Sequence, residues 1–314
     1  MSDCIVIRDL YDKLGEVEDM RLVRHPLEHA LTLDAIERHI FGNKQGSQPA
    51  LASQTPGNES STAPSAVSSA PFHGIKIADI GGATGTYAFA LADKGAEVHL
   101  RDLSTGLLAI AAAKQEKRCR ESKVNGDNFN QLASIKVGNA LDPESLFPAS
   151  QMGTFDVVLL LGPLYHLIEV EERQRVLMNA LSFLRPDGLL FAAFVSRNAH
   201  IRDIAVRDPE RLVREEEFYR KYMKTGKYVR RGDRNAESYH ANLSEIQPLI
   251  ESVNAKVLEI LGVEGILGGG LDKALAGVDS RSLQSWVDVM RDLGKRPENL
   301  GNADHWLVVI RRDL

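Results

Sequence analysis

Ile75-Lys-Ile-Ala-Asp-Ile-Gly-Gly-Ala-Thr-Gly-Thr86 carries the reading that decides the fold. A short apolar strand runs into a glycine-rich turn, and the turn into the helix Tyr87-Ala-Phe-Ala-Leu-Ala-Asp-Lys94. Glycine adopts backbone angles closed to other residues and leaves room for a ligand against the main chain. Amides at the start of the following helix then face that ligand. Ala96-Glu-Val-His-Leu-Arg-Asp102 reads as a second strand that ends in an acid. A glycine turn after one strand and a carboxylate closing the next is a layout for an adenosine-containing cofactor.

Two cofactors compete for this layout. A dinucleotide site wants G-x-G-x-x-G, and Ala83 and Thr86 stand where its second and third glycines belong. The string Asp79-Ile80-Gly81-Gly82-Ala83-Thr84-Gly85 resembles instead the first motif of the class I S-adenosylmethionine-dependent methyltransferases, D-x-G-x-G-x-G. Ala83 replaces the middle glycine of that motif, a change of one methyl group.

The chain has 314 residues, enough for one decorated core or two small domains. Its 43% hydrophobic and 26% charged residues are those of an ordinary globular protein. A formal charge of -5 gives no global attraction to nucleic acid or an anionic membrane. Two cysteines, Cys4 and Cys119, are too few for a disulfide framework and suit a reducing compartment. No apolar run approaches the roughly 20 residues that span a bilayer, and the N-terminus lacks the pattern of a secretory signal. The expectation is a cytoplasmic monomer or homodimer.

Residues 9–41 carry apolar positions three to five apart and predict an N-terminal helical cap over 1–43. The Ser/Ala/Pro-rich stretch 44–72 has almost no large apolar residue and predicts a disordered insertion. From residue 73 to 314 strands and helices alternate. Strands are predicted at 75–80, 96–101, 133–138, 155–161 and 188–195, with helices near 86–94, 105–121 and 169–184. Such alternation argues for a parallel sheet with right-handed crossovers. Later strands at 256–262 and 305–311 suit a Rossmann-like α/β fold: a seven-stranded, mostly parallel sheet with an antiparallel edge strand and helices on both faces. The charged, tyrosine-bearing stretch 198–243 breaks the rhythm and predicts a mostly helical lid.

Several residues are placed by this layout at one end of the sheet. Asp102 at the tip of the second strand suits a ribose diol, with Leu103 beside the adenine; the alternative is a helix-capping acid. Gly138-Asn139-Ala140-Leu141-Asp142 ends the third strand, where Asn139 or Asp142 suits the adenine amine; the alternative is a self-satisfied turn. Gly162-Pro163-Leu164-Tyr165-His166 follows the fourth strand, and Tyr165 and His166 are the catalytic candidates, His166 as base. Both also suit simple pocket lining. Gly162 stands where methylation of a nucleobase amine commonly uses Asn or Asp, which argues against that acceptor. Arg24 is a candidate partner for a cofactor carboxylate or an acidic substrate. The two histidines of Arg24-His25-Pro26-Leu27-Glu28-His29 lack the glutamate of a zinc protease, so no metal site is expected. The basic run 220–234 follows Glu215-Glu216-Glu217 and reads as a solvated face rather than a nucleic-acid surface. Tyr239, His240 and Arg197 are further pocket candidates.

The strings Arg24-His-Pro-Leu-Glu28, Asp79-Ile-Gly-Gly82, Leu161-Gly-Pro-Leu-Tyr-His-Leu167 and Phe191-Ala-Ala-Phe-Val-Ser-Arg197 together resemble one subgroup of small methyltransferase-domain proteins. The resemblance covers nearly the whole chain outside the insertion. It implies S-adenosylmethionine as cofactor, with contacts from Asp79, Gly81, Gly82, Gly85, Asp102, Leu103, Asn139, Ala140, Leu161 and Gly162. The implied activity is methyl transfer to a small molecule, at oxygen or sulfur in preference to a nucleobase nitrogen. The rival expectations are an NAD(P)-dependent oxidoreductase and a protein that binds the cofactor without turning it over.

Overall fold

The computed structural model describes residues 8, 15, 19–45, 70–125, 129–230 and 236–313. A single helical turn, α1 (Arg21–Arg24), precedes the long helix α2 (Pro26–Gln45). The alternating part follows as β1 (Lys76–Ile80), α3 (Thr86–Asp93), β2 (Glu97–Asp102), α4 (Thr105–Asn125), β3 (Ser134–Val137), β4 (Phe155–Leu160), α5 (Val170–Phe183) and β5 (Leu184–Val195). An excursion then adds α6 (Arg197–Arg207), α7 (Glu216–Thr225) and the hairpin β6 (Lys227–Arg230) and β7 (Ala236–Tyr239). The chain closes with α8 (Leu243–Glu251), β8 (Ala255–Gly262), α9 (Ser280–Leu293) and β9 (His305–Arg312).

The seven strands run in the order β3-β2-β1-β4-β5-β9-β8. Strands β1 to β5 pair in parallel, while β9 is antiparallel to both β5 and β8, which brings the expected antiparallel strand to that side of the sheet. Side chains alternate across the sheet because successive Cβ atoms in a strand point to opposite faces. Ile77, Val157, Leu159, Leu189, Phe191, Leu307 and Val309 enter one core, shared with α2, α3 and α9. Ala78, Val158, Leu160, Leu190, Ala192, Val308 and Ile310 enter the other, shared with α5 and α8. A strand buried on both sides must be apolar at nearly every position, which is why Phe155-Asp-Val-Val-Leu-Leu160 reads as an unbroken run. By the same parity Asp79 lies on the face covered by α2 and α3.

The structure departs from the sequence reading at three places. Helix α2 continues through Gln45, and Phe72 is fully buried with its ring 5.3 Å from that of Phe41. Both ends of the stretch 44–72 therefore belong to the fold, while residues 46–69 lie outside the described residues. Of the predicted helix 9–41, residues 9–14 and 16–18 also lie outside them. The turn Arg185-Pro-Asp-Gly188 lies inside β5, as a register irregularity against β4 with Asp187 at φ 63. The excursion is not wholly helical: Lys227-Tyr-Val-Arg230 pairs with Ala236-Glu-Ser-Tyr239. Its charged residues hide the period-two pattern of a strand. No helix among the described residues is long and apolar enough to cross a membrane.

Candidate active site

The glycine turn is held by the neighbouring strand. The amides of Gly81 and Gly82 both donate to the Arg101 carbonyl, at 2.7 and 3.2 Å. Gly81 takes φ 74, and a Cβ there would meet the Pro163 ring at 2.6 Å. A Cβ on Gly82 would meet the Asp79 carboxylate at 2.4 Å and Leu100 at 2.5 Å. One on Gly162 would lie 2.9 Å from the Gly81 carbonyl, so the turns after β1 and β4 touch through their backbones. Gly85, at φ 80, opens α3 as its N-cap. The N-terminal segment reaches over the same turn: the Thr84 hydroxyl donates to Asp19 at 2.7 Å, and Lys114 pairs with the same carboxylate.

Ala83 takes φ 50, in the left-handed region. That geometry explains why the resembled motif has glycine there, since a Cβ in this region costs roughly 1–2 kcal/mol. Ala83→Gly is expected to raise the unfolding free energy by about 1 kcal/mol, as read from urea titration. An unchanged or lower stability would count against the strained turn.

Three adjoining cavities follow the carboxyl ends of the strands. The outer cleft is lined by Asp102, Leu103, Leu107, Asn139, Ala140 and Leu141 on one side. Gly81, Gly162, Tyr165 and His166 line the other. A middle cavity shares Gly81, Ala83, Gly162 and Tyr165 with it and adds Asp79, Gly82, Arg21, Tyr87 and Leu161. A small inner cavity shares Arg21, Tyr87 and Leu161 with the middle one. Glu28, Thr32, Ala193, Val263, His305, Trp306 and Leu307 complete its lining.

Asp102 closes β2 at the cleft wall, where it accepts backbone amides from Ala83 and Ser104, each at 2.8 Å. These bonds tie the glycine turn to β2 and fix the carboxylate. The Asn139 side chain accepts the Leu141 amide at 3.0 Å, so the self-satisfied turn is present even though Asn139 lines the cleft. Asp142 lies outside that lining. Asp79 is buried, and its Oδ2 has no hydrogen-bond partner among the described residues. Burial, reinforced by the nearby charge of Asp102, pushes its carboxyl up to about 7. An orphaned buried carboxylate costs free energy unless a donor arrives.

Tyr165 and His166 stand side by side at the cleft mouth, their rings 4.6 Å apart. Burial pushes the His166 imidazole down to about 4, so at neutral pH it is uncharged and a weak base. Arg24 is exposed and lines none of the three cavities; Arg21, one turn earlier, lines two of them. Tyr239, His240 and Arg197 also lie outside the cavities and serve the excursion instead. Arg197 is buried and donates to the carbonyls of His240 and Met223 and to the Glu245 carboxylate. The Tyr239 hydroxyl donates to Glu245, and His240 Nδ1 pairs with the Tyr222 hydroxyl at 2.7 Å. His25, from the pair that argued against a protease site, meets Asp272 at 2.8 Å.

Sequence reasoning missed the floor of the inner cavity. Glu28 takes two 2.9 Å bonds from Arg21. Glu264 accepts the amides of Asp304 and His305 and lies 2.5 Å from His305 Nδ1. Burial alone would lower His305, but Glu28 and Glu264 push it up to about 9. Glu28 is held below its usual range by Arg21 and His305 against the opposing effect of burial. The ligand atoms of Glu28, Glu264 and His305 lie within 4.8 Å of one another. Two cations already meet the two carboxylates, so the cluster is balanced without an ion.

Residues 78–190 match the family model of a methyltransferase domain. No curated protein sequence matches the chain. Among solved structures, the chain resembles the magnesium protoporphyrin IX methyltransferase of Synechocystis PCC 6803 with bound S-adenosylhomocysteine. The identity is 14% and the TM-score 0.52, over 99% of this chain and 100% of that one. The same enzyme with bound S-adenosylmethionine gives 13% and 0.50, over 100% and 98%. A S-adenosylmethionine-dependent methyltransferase of Methanosarcina mazei gives 16% and 0.48, over 76% and 92%. At these identities the likeness to the Synechocystis enzyme is one of fold.

Proposed function

We propose that this chain is a class I S-adenosylmethionine-dependent methyltransferase, that its outer and middle cavities hold that cofactor and that it methylates an oxygen or sulfur atom of a small molecule. The observation that carries the reading is the Asp79 Oδ2, which has no partner among the described residues and is buried in the middle cavity beneath a glycine turn that has no room for a Cβ. An aminoacyl nucleoside fits both features, since its ammonium satisfies the carboxylate and its chain lies against bare backbone.

The residues divide the work as follows. Asp102 takes the ribose hydroxyls, while Leu103, Leu107, Ala140 and Leu141 pack around the adenine. Asp79 takes the ammonium, and Arg21 replaces Arg24 as the partner of the carboxylate. When bound, S-adenosylmethionine supplies an electrophilic methyl group on a sulfonium, open to in-line displacement. Placement and exclusion of water are then the protein's main contributions. The N-terminal segment over Thr84 and the excursion after β5 supply the cover. A 2.6 Å ion pair of Lys227 with Glu169 ties β6 down beside the cleft-lining 163–167 segment. Gly162 offers no side chain to grip an exocyclic amine, which disfavours a nucleobase acceptor.

Calorimetry with S-adenosylhomocysteine tests the binding, with NADH as the rival ligand. Asp102→Ala is expected to weaken S-adenosylhomocysteine by roughly ten- to a hundredfold, since it removes charged hydrogen bonds. Binding of NADH alone, or affinity untouched by the substitution, would refute the assignment.

A further inference from the structure

The middle cavity has a wall of unequal build. Asp79, Gly81 and Gly82 face it from the sheet and its first turn, while Arg21 and Leu22 face it from α1, a single helical turn. Residues 19–24 cross the cavity between two anchors. At one end Asp19 accepts the Thr84 hydroxyl at 2.7 Å and pairs with Lys114, whose ammonium lies 3.3 Å from the same hydroxyl. At the other end His25 leaves helical geometry, with φ -123 and ψ 65, and meets the buried Asp272 at 2.8 Å. We infer that residues 19–24 form a strap that lifts about His25 to admit and release the cofactor's aminoacyl arm, with Asp19 as its latch. The inference rests on the cofactor assignment above and adds the way in and out for that ligand.

The first support is where the latch lands. Thr84 belongs to the glycine turn and itself lines the middle cavity, so Asp19 fastens the strap to the loop on which the arm lies. Lys114 comes from α4, whose Leu107 lines the outer cleft. Gly15, upstream of the latch, lies against that helix too: a Cβ there would meet Ile110 at 2.7 Å. A ligand with its ribose on Asp102 and its carboxylate on Arg21 therefore runs beneath the strap.

The second support is independent and concerns how the strap is held. Of residues 19–24 only Leu22 is buried, and Met20, Val23 and Arg24 are exposed. One helical turn has little stability of its own, because nucleation costs more than a single turn returns. Pro26 bars helical geometry at the residue before it, which breaks α1 from α2 at His25 and sets the pivot there. Both side chains of the latch are partly exposed, so water can replace the pair at small cost. Arg21, with two 2.9 Å bonds across the pivot to Glu28, is the remaining tie. A cofactor carboxylate on the same guanidinium adds a contact to the lowered strap alone, and so favours closure.

A gate and a grip have different kinetics. Where ligand passes only through the open state, a weaker latch raises the open fraction in the empty and the loaded protein alike. Association and dissociation then quicken by one factor, and their ratio holds. A residue that only supports the bound ligand changes dissociation alone.

Surface plasmon resonance of the full chain with S-adenosylhomocysteine reads both rate constants. Asp19→Asn and Lys114→Met are each expected to raise both together by about three- to tenfold, with Kd changed by less than about twofold. The double variant is expected to match the larger single effect and not the product of the two, since both changes remove one ion pair. Neither change threatens the fold, because the pair is partly exposed. Faster dissociation at unchanged association would overturn the inference, since Asp19 would then be a grip. Wild-type rates in both variants would overturn it as well. No binding by the wild-type chain would sink the cofactor assignment instead.

Discussion

Gly82→Ala is expected to lose S-adenosylhomocysteine affinity by about a hundredfold or more while the sheet remains folded. The added Cβ would sit 2.4 Å from the Asp79 carboxylate and 2.5 Å from Leu100, closer than atoms approach. Leu100 is buried in the core and cannot retreat, so Asp79 or the turn must shift. The shift displaces the carboxylate assigned to the ammonium and the backbone on which the aminoacyl arm lies. Overpacking of this kind costs about 1–3 kcal/mol of stability, which a core this size tolerates. Calorimetry reads the first effect and denaturant titration the second. Full affinity in a folded Gly82→Ala protein would mean that the cofactor does not lie against this turn.

The largest stability effect is expected from Glu28→Gln. Arg21 would lose the charge behind its two 2.9 Å bonds, and His305 would keep Glu264 but lose the attraction of Glu28, at a combined cost of about 2–3 kcal/mol. The same cluster makes the wild-type protein sensitive to alkali. Glu28 and Glu264 push the His305 imidazole up to about 9 in the folded chain, against about 6.5 for a free imidazole. A raised folded value means that the native state binds the extra proton. Its contribution is therefore complete below about pH 6.5 and lost as pH rises through 9. The shift corresponds to a loss on the order of 3 kcal/mol. In Glu28→Gln that window should narrow, because only Glu264 remains to hold the proton. Urea titrations at pH 6, 7.5 and 9 check both statements. A wild-type stability that is flat across this range would show that His305 is not held as a cation.

The parallel sheet was legible because its signals are local. Val157 to Leu160 must be apolar on both faces, and the glycine turn carries its backbone demands in consecutive residues. The placement of Asp79, Asp102 and the 162–166 turn along the cavities was legible for the same reason, since each lies at or next to a strand end. Arg24 lines none of the three cavities and Arg21, one helical turn earlier, lines two, because sequence places an arginine near the site without fixing which side of the helix faces it. The hairpin 227–239 was hidden because Lys227, Arg230 and Glu237 interrupt the apolar alternation that marks a strand. Arg197, His240 and Tyr239 looked like pocket chemistry, yet Glu245 and backbone carbonyls claim Arg197, Glu245 claims Tyr239, and the Tyr222 hydroxyl claims His240. The inner cavity could not be read at all. Glu28, Glu264 and His305 come from α2, from the loop after β8 and from β9, and only the order β5-β9-β8 brings them together. Pairings across more than 200 residues leave no mark in local spacing.

A crystal structure of the S-adenosylhomocysteine complex tests the cofactor assignment most directly. The ribose hydroxyls are expected on Asp102 and the ammonium within hydrogen-bonding distance of Asp79 Oδ2. A nucleoside bound elsewhere, or Asp79 still without a partner, would contradict it.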